Sequence, residues 1–420
     1  MLPDYLPRWV DSEIAERLER IGAVVIEGPK ACGKTRTARQ ASASEIRCDA
    51  VPGIATLVND APGYILDGPT PRLIDEWQTV PRIWNHVRHA VDDRSAVGQF
   101  ILTGSASPAD DESRHSGAGR FSRLRMRTLT LSEQCLSDRR VSLRALMEGR
   151  TCDSSSGNLS FGDLLEVVCA GGWPGNIALP LATALRNNID YVEETTRLDI
   201  SRIDRTLKGR DLHRIRAVIR SLSRSLGGSI GPSTIQADVT ADRVPITTDT
   251  VSEYLDALHR VFLLESIYCW PTHLRSKAVL RTKPKVYFVD PSIAVAALNG
   301  NPDIIIKDLP LLGQIFENLV IRDLLVYAQH LDHKVYFYRD SNGLEVDAII
   351  ESSDGRWMCV EIKLGTDAVD TAAATLNKFV STVDTSRKGE PQARVIITGN
   401  GPTYSRTDVT LVVNISALTA

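Results

Sequence analysis

Gly28-Pro29-Lys30-Ala31-Cys32-Gly33-Lys34-Thr35, with Arg36 after it, follows directly on the apolar run Ala23-Val24-Val25-Ile26. In strand, loop and helix order this is the spacing of a Walker A phosphate loop. Glycines let backbone N–H groups curl around phosphate oxygens, Lys34 reaches the terminal phosphates, and Thr35 offers a hydroxyl to Mg²⁺ at a helix N-terminus. The candidate nucleotide-binding residues are therefore Gly28, Pro29, Lys30, Ala31, Cys32, Gly33, Lys34, Thr35 and Arg36. A glycine-rich turn is the plain alternative, and the apolar strand before the loop argues against it.

Working outward, Leu73-Ile74-Asp75-Glu76 is an apolar strand end closed by acids. Such a pair is often a capped turn, but behind a phosphate loop it reads as a Walker B element. Asp75 is then the Mg²⁺ partner, and Glu76 orients and activates the attacking water. Phe100-Ile101-Leu102-Thr103-Gly104-Ser105 ends a further strand in hydroxyls, which makes Thr103 or Ser105 a candidate γ-phosphate sensor. Gly117-Ala118-Gly119-Arg120 brings a cation, with Arg120 expected to stabilise phosphoryl transfer in cis or toward a neighbouring subunit; a solvated surface arginine is the alternative.

The 420-residue chain is 43% hydrophobic and 24% charged, as in soluble globular proteins, and long enough for about two or three domains. No apolar run approaches the roughly 20 residues that cross a bilayer, and Met1 to Arg8 has no export signal, so a cytoplasmic protein with no membrane partner is expected. Seven cysteines without a C-x-x-C pair argue against a disulfide framework or zinc site; Cys32, inside the loop, is a possible target for blocking nucleotide binding or an incidental small residue. The net charge of −3 excludes a globally basic nucleic-acid binder. Arg114 to Arg127 and Arg197 to Arg224 (with Arg202, Arg205, Lys208 and Arg210) are locally basic, fit either to meet phosphate or to form solvated helix faces.

A helix is expected around Ile14 and Leu18, strands at Tyr64–Leu66, Arg72–Ile74 and Gln99–Leu102, a helix over Pro81–Val91, and a strand over Leu124–Leu129. Alternating strands and helices imply an α/β class with an N-terminal parallel sheet over 1–150. Residues 160–283 read as mainly helical. Ser233-Thr234-Ile235-Gln236 and Asp249 to Leu258 look like two helices of a winged-helix unit, the second capped by Thr248 or Asp249; Glu253 and Asp256 favour packing or subunit contact over reading DNA. Residues 284–420 read as a second α/β domain, with helices near Gly313–Leu331 and Thr371–Val383.

Glu27 to Thr35, Leu73-Ile74-Asp75-Glu76-Trp77-Gln78, Phe100 to Ser105, Gly117 to Arg120 and Gly171-Gly172-Trp173-Pro174 together resemble a prokaryotic AAA+ like ATPase family, in which an AAA_14 domain precedes a DUF4143 domain. The resemblance covers nearly the whole chain and implies ATP as the nucleotide and an AAA+ style sheet. Relatives of this kind often form rings, so a homo-oligomer or a protein partner stays open.

A second chemical centre lies in the C-terminal part. Glu317 on a helix, Asp347 in Glu345-Val346-Asp347, and Glu361-Ile362-Lys363 at a strand end are candidates for a Mg²⁺ site, with Lys363 positioning or polarising the nucleophilic water. Residues two apart in a strand share a face, so Glu361 and Lys363 point together. The order resembles the PD-(D/E)xK nuclease core, which implies either a DNA nuclease or a surviving scaffold without turnover. The expected function is a Mg²⁺-dependent ATPase coupled to a nuclease-like domain that acts on or binds DNA. The alternatives are an ATP-regulated DNA endonuclease and a nucleotide-switched binding module.

Overall fold

The computed structural model describes residues 5–106, 116–151, 154–157, 159–199, 212–271 and 282–420. Val10, Ile14 and Leu18 recur every fourth position and form the buried stripe of helix α1 (Val10–Arg20). Strand β1 (Ala23–Glu27) leads through the glycine loop into α2 (Lys34–Ala41), then β2 (Ser44–Arg47), β3 (Arg72–Asp75), α3 (Ile83–Arg94), β4 (Phe100–Gly104) and β5 (Phe121–Arg125). The sheet order is β2-β3-β4-β1-β5 with every neighbouring pair parallel. Both faces are covered. Val24 and Ile26 pack with α1 and with Ala38 of α2, whereas Ala23 and Val25 pack with Trp84, Val87 and Val91 of α3. Burial on both sides is why these strands read as unbroken apolar runs.

Two expectations fail locally. Tyr64-Ile65-Leu66 lies in a helical turn, Gly63–Leu66, because three apolar residues fit a turn of helix as well as a strand. The strand expected at Leu124–Leu129 ends at Arg125, and the chain then leaves the sheet.

From Leu131 onward the side chains join a different core. Leu131, Val141, Leu143, Leu146 and Met147 pack with residues spread from Leu164 to Leu418, and Val141–Ser142 pairs in parallel with Leu418–Thr419. The stretch 131–150, expected within the first unit, is therefore packed into the body formed by the rest of the chain. A boundary placed by composition misses this because the partner strand lies at the far end of the sequence.

That body begins with helices α4 (Phe161–Ala170), α5 (Leu181–Glu194), α6 (Leu212–Ser223), α7 (Pro232–Ala241) and α8 (Thr248–Arg260). Ser160 and Asp163 cap α4 reciprocally, and Thr247, one residue before the expected cap, accepts from Thr250 N at the start of α8. Strands β6 (Leu264–Ile267) and β7 (Lys285–Phe288) form an antiparallel pair, followed by α9 (Ser292–Ala297) and the long α10 (Leu309–His330). The final sheet is built from β8 (His333–Arg339), β9 (Glu345–Ser352), β10 (Trp357–Lys363), β11 (Arg394–Thr398), β12 (Pro402–Ser405) and β13 (Thr410–Asn414), with α11 (Val369–Thr382) after β10. Its order is β8-β9-β10-β11-β13-β12, extended at the β12 edge by Ser155–Ser156. Pairs β10/β11 and β11/β13 are parallel and the others antiparallel. Met358, Val360 and Ile362 face one core while Trp357 and Cys359 face the one covered by α11.

Candidate functional site

The phosphate loop is fixed from beneath. Met126 N donates to Glu27 O at 2.7 Å, so the carbonyl of Met126 lies against Gly28; a Cβ there would stand 2.1 Å from it. Gly33 has φ +103, a left-handed conformation that side chains rarely adopt. Lys34 Nζ spans the loop and donates to Gly28 O at 2.9 Å and Pro29 O at 2.7 Å. Cys32 is fully buried, against the backbone of Met126, while Lys30, Ala31 and Arg36 are exposed.

Parallel register brings the other candidates to the loop. Ile26 pairs with Thr103 and Ile74 with Leu102, so the carboxyl ends of β1, β3 and β4 lie side by side. Thr35 Oγ1 donates to Asp75 Oδ1 at 2.8 Å, and the hydroxyl of buried Thr103 donates to the same oxygen. Glu76 takes φ +55 as the chain turns out of β3, and its carboxylate receives Gln78 Nε2 and Ser105 Oγ, the latter at 3.3 Å. The structure thus brings Lys34, Thr35, Asp75, Glu76, Thr103 and Ser105 together at one end of the sheet.

Arg120 is not among them. It precedes β5, whose first residue pairs with Ala23, at the opposite end of the five-residue β1 from the loop, roughly 16 Å away at ~3.3 Å per residue. Its guanidinium is paired with Asp92 of α3 at 2.8 Å. The expected cis role is corrected on that ground: parallel strands put the residue before β5 at the wrong edge. Nor is this segment a free basic patch. Arg123 pairs with Glu27, and Arg125 and Arg127 both pair with Glu265 at 3.1 Å; Arg114 lies outside the described residues. In the other basic segment Arg224 is held by Asp238 and Asp242 at 2.8 Å, and Arg202, Arg205, Lys208 and Arg210 lie outside the described residues.

A residue the sequence did not signal, Arg8, ties the loop to the body. Its buried guanidinium donates to Cys32 O at 3.0 Å, Arg127 O at 2.8 Å and Glu133 Oε1 at 3.0 Å. The Gly171-Gly172-Trp173-Pro174 segment sits on the same side, with Pro174 beside Gly33. Gly172 O accepts from Leu129 N at 2.7 Å, and Gly172 N donates to Asp290 Oδ2 at 2.9 Å. Asp290 also receives Thr128 Oγ1 at 2.6 Å and Arg322 Nη1 at 3.1 Å, while Arg322 Nε donates to Asp323 at 2.9 Å. All three charged side chains are buried, and Asp323 in turn accepts from Leu131 N.

The second centre also assembles. Lys363 Nζ lies 2.6 Å from Glu361 and 3.3 Å from Asp347, and Ile362 N donates to Asp347 Oδ2 at 2.9 Å. Glu317 of α10 is reached by Tyr287 OH at 2.6 Å and by Lys285 Nζ at 3.4 Å, and Lys285 also lies 2.7 Å from Glu345 and 3.7 Å from Asp347. Burial, reinforced by Asp347, pushes the carboxyl of Glu361 up to about 8 and that of Glu317 up to about 7. For Lys285, burial works against the charge, but Glu317, Asp347 and Glu345 outweigh it and hold the ammonium protonated. Lys285 and Tyr287 were missed; the only signal was their shared face at the start of a strand. Among the described residues, no group of three or more His, Cys, Asp or Glu side chains is arranged to hold a metal ion. The expected metal set Glu317, Asp347 and Glu361 therefore does not fit a divalent cation here, because lysine ammoniums stand between its members.

Residues 21–135 match the model of an AAA domain, 162–304 that of a domain of unknown function, DUF8612, and 312–418 that of another, DUF4143. Uncharacterized proteins of Mycobacterium bovis and Mycobacterium tuberculosis are each 25% identical over 357 residues, 84% of this chain and 72% of theirs. A solved Walker-type ATPase of Pyrococcus abyssi superposes with a TM-score of 0.40 at 12% identity, over 70% of this chain and 96% of that one. No helix among the described residues is long and apolar enough to cross a membrane. The AAA match and the loop geometry agree on the N-terminal unit: it is AAA-like and supports an ATP-binding, ATPase-like function.

Proposed function

We propose that the chain is a Mg²⁺-dependent ATPase whose N-terminal unit drives or gates the C-terminal body. The observation that carries this is the 2.8 Å contact between Thr35 and Asp75 beside Lys34, at the carboxyl edge of a parallel sheet. A threonine hydroxyl and a carboxylate are the hard oxygen donors that suit Mg²⁺, which keeps several waters of its own. Bound there, the ion would neutralise charge on the β- and γ-phosphate oxygens. Lys34 exchanges the Gly28 and Pro29 carbonyls for the phosphates, Thr103 holds the Asp75 carboxylate in orientation, and Glu76, steadied by Ser105 and Gln78, orients the attacking water and takes its proton. Arg120 has no part in this site within one chain.

Three links support coupling: Arg8, which also holds Cys32 O, to Glu133, Arg127 to Glu265, and Thr128 to Asp290. The winged-helix reading of the middle region rests on the succession of α7, α8 and the antiparallel β6–β7 pair. Val251, Tyr254 and Leu258 of α8 are buried and Asp256 is exposed, which favours a packing role over reading DNA. A second reading, a nuclease-like C-terminal unit, is favoured by the proximity of Glu317, Asp347, Glu361 and Lys363 and opposed by the poor fit to a metal.

The test is phosphate release from Mg-ATP, with and without DNA, in wild type, Lys34→Ala and Glu76→Gln, with the DNA followed on a gel. Lys34→Ala is expected to abolish ATP binding, and Glu76→Gln to keep bound ATP while release falls about a hundredfold or more. Undiminished release in both variants removes the assignment.

A further inference from the structure

By residue type, Glu317, Asp347 and Glu361 would hold a divalent cation, yet an ammonium already stands among them. Lys285 faces Glu317, Glu345 and Asp347 at 3.4, 2.7 and 3.7 Å, so its ammonium stands among three carboxylates. The two oxygens of Asp347 are shared between lysines, Oδ1 toward Lys285 and Oδ2 toward Lys363 and Ile362 N. We propose that Lys285 is the built-in cation of this centre, so that while the β6–β7 pair is docked the C-terminal body takes up no divalent metal.

The position is built rather than incidental. Lys285 is buried, with 4% of its side chain exposed, and its ammonium also lies over the ring of Phe337. Two residues along the same strand face, Tyr287 donates to Glu317 at 2.6 Å. Asn318, the next residue of α10, clamps the end of β7 by accepting from Phe288 N at 3.1 Å and donating to Phe288 O at 2.8 Å. From the other side Gly227 N donates to Val286 O, and a Cβ on Gly227 would stand 2.8 Å from the Glu317 carboxylate. Strand, helix and turn thus converge to hold one lysine against three acids.

A Mg²⁺ or Mn²⁺ ion must come within about 2.1 Å of its oxygens. Any such approach to Glu317 or to Asp347 Oδ1 would bring it against the Lys285 ammonium, and to Asp347 Oδ2 against that of Lys363, in a buried setting where like charges are poorly screened. Metal loading therefore requires β7 to withdraw. This goes beyond the ATPase reading and does not rest on it.

The probe is Mn²⁺, with the free ion counted by electron paramagnetic resonance against full-length protein without nucleotide. Wild type and Asp347→Asn are expected to take up the same amount. Lys285→Met is expected to gain one further equivalent per chain, lost again in Lys285→Met/Asp347→Asn. An Asp347-dependent equivalent in wild type overturns the proposal, as does a folded Lys285→Met protein that gains none. Lys285→Gln, which keeps a donor for the carboxylates, replaces Met if that variant does not fold. The wild-type and Asp347→Asn comparison decides the matter with no change at Lys285. Because no nucleotide is present, failure here leaves the phosphate-release test untouched.

Discussion

Replacing Asp290 with alanine removes the acceptor of five hydrogen bonds, from Thr128 Oγ1, Gly172 N, Ser292 N, Ser292 Oγ and Arg322 Nη1. Asp290 is fully buried and Arg322 nearly so. Breaking such a pair by deleting one partner costs about 3–5 kcal/mol, because the remaining charge is left uncompensated. Arg322 keeps Asp323, which lowers that figure, whereas the orphaned Gly172 N–H adds about 1–3 kcal/mol. The two adjustments nearly cancel, and a loss of about 4 kcal/mol is expected. The assay is urea unfolding followed by tryptophan fluorescence, scored on the transition of the C-terminal body, since a chain of this size does not unfold as one unit. Adding Arg322→Met removes the stranded charge, so the double variant should be less destabilised than the sum of the two single changes by about 1 kcal/mol or more. Because Gly172, held by Asp290, is two residues before Pro174, which lies beside Gly33 of the phosphate loop, Asp290→Ala should also raise the KM for ATP. A loss under about 1 kcal/mol, or strict additivity, would refute the view that these charges are held together by mutual need.

Other consequences are more local. Arg8→Ala should cost about 3–5 kcal/mol, since it strands buried Glu133, and should weaken ATP binding because Cys32 O loses its donor; unchanged melting and affinity would contradict this. Glu361 has a folded-state value raised above its unfolded one, so its contribution is complete below about pH 4.5 and is lost as pH rises toward about 8. Wild type should therefore lose melting temperature relative to Glu361→Gln between pH 5.5 and 8.5 (~3 pH units), and parallel curves would exclude the effect. Among the described cysteines, exposed Cys135 should react with iodoacetamide first and leave ATP binding intact, whereas Cys32 is buried; early labelling of Cys32 would show that the loop opens.

What the sequence could reveal was set by how local each feature is. The phosphate-loop motif is one contiguous stretch in which glycine, lysine and threonine stand at fixed spacing, and the parallel sheet announces itself through strands buried on both faces. Asp75, Glu76 and Thr103 were legible because parallel strands deliver their carboxyl ends to one edge. The same rule, applied to β5, excludes Arg120, which precedes its strand rather than following it. Glu317, Asp347, Glu361 and Lys363 could be named from their order along the chain, but not Lys285, the ammonium between Glu317 and Asp347.

Tertiary structure decided the rest. Arg8 meets Glu133 across 125 positions, Thr128 meets Asp290 across 162, and Lys285 finds its acids on α10 and β9. An arginine or lysine in isolation reads as a solvated surface charge. Only the fold supplies the carboxylate that makes its burial affordable in free energy. The sequence by itself determined where the glycine loop between β1 and α2 forms and which strands bring Asp75, Glu76 and Thr103 to its side, because those follow from backbone periodicity and short-range sterics. Which charges are buried, which face each other and which body residues 131–150 join depended on contacts between distant segments, and these exist only once the chain has folded.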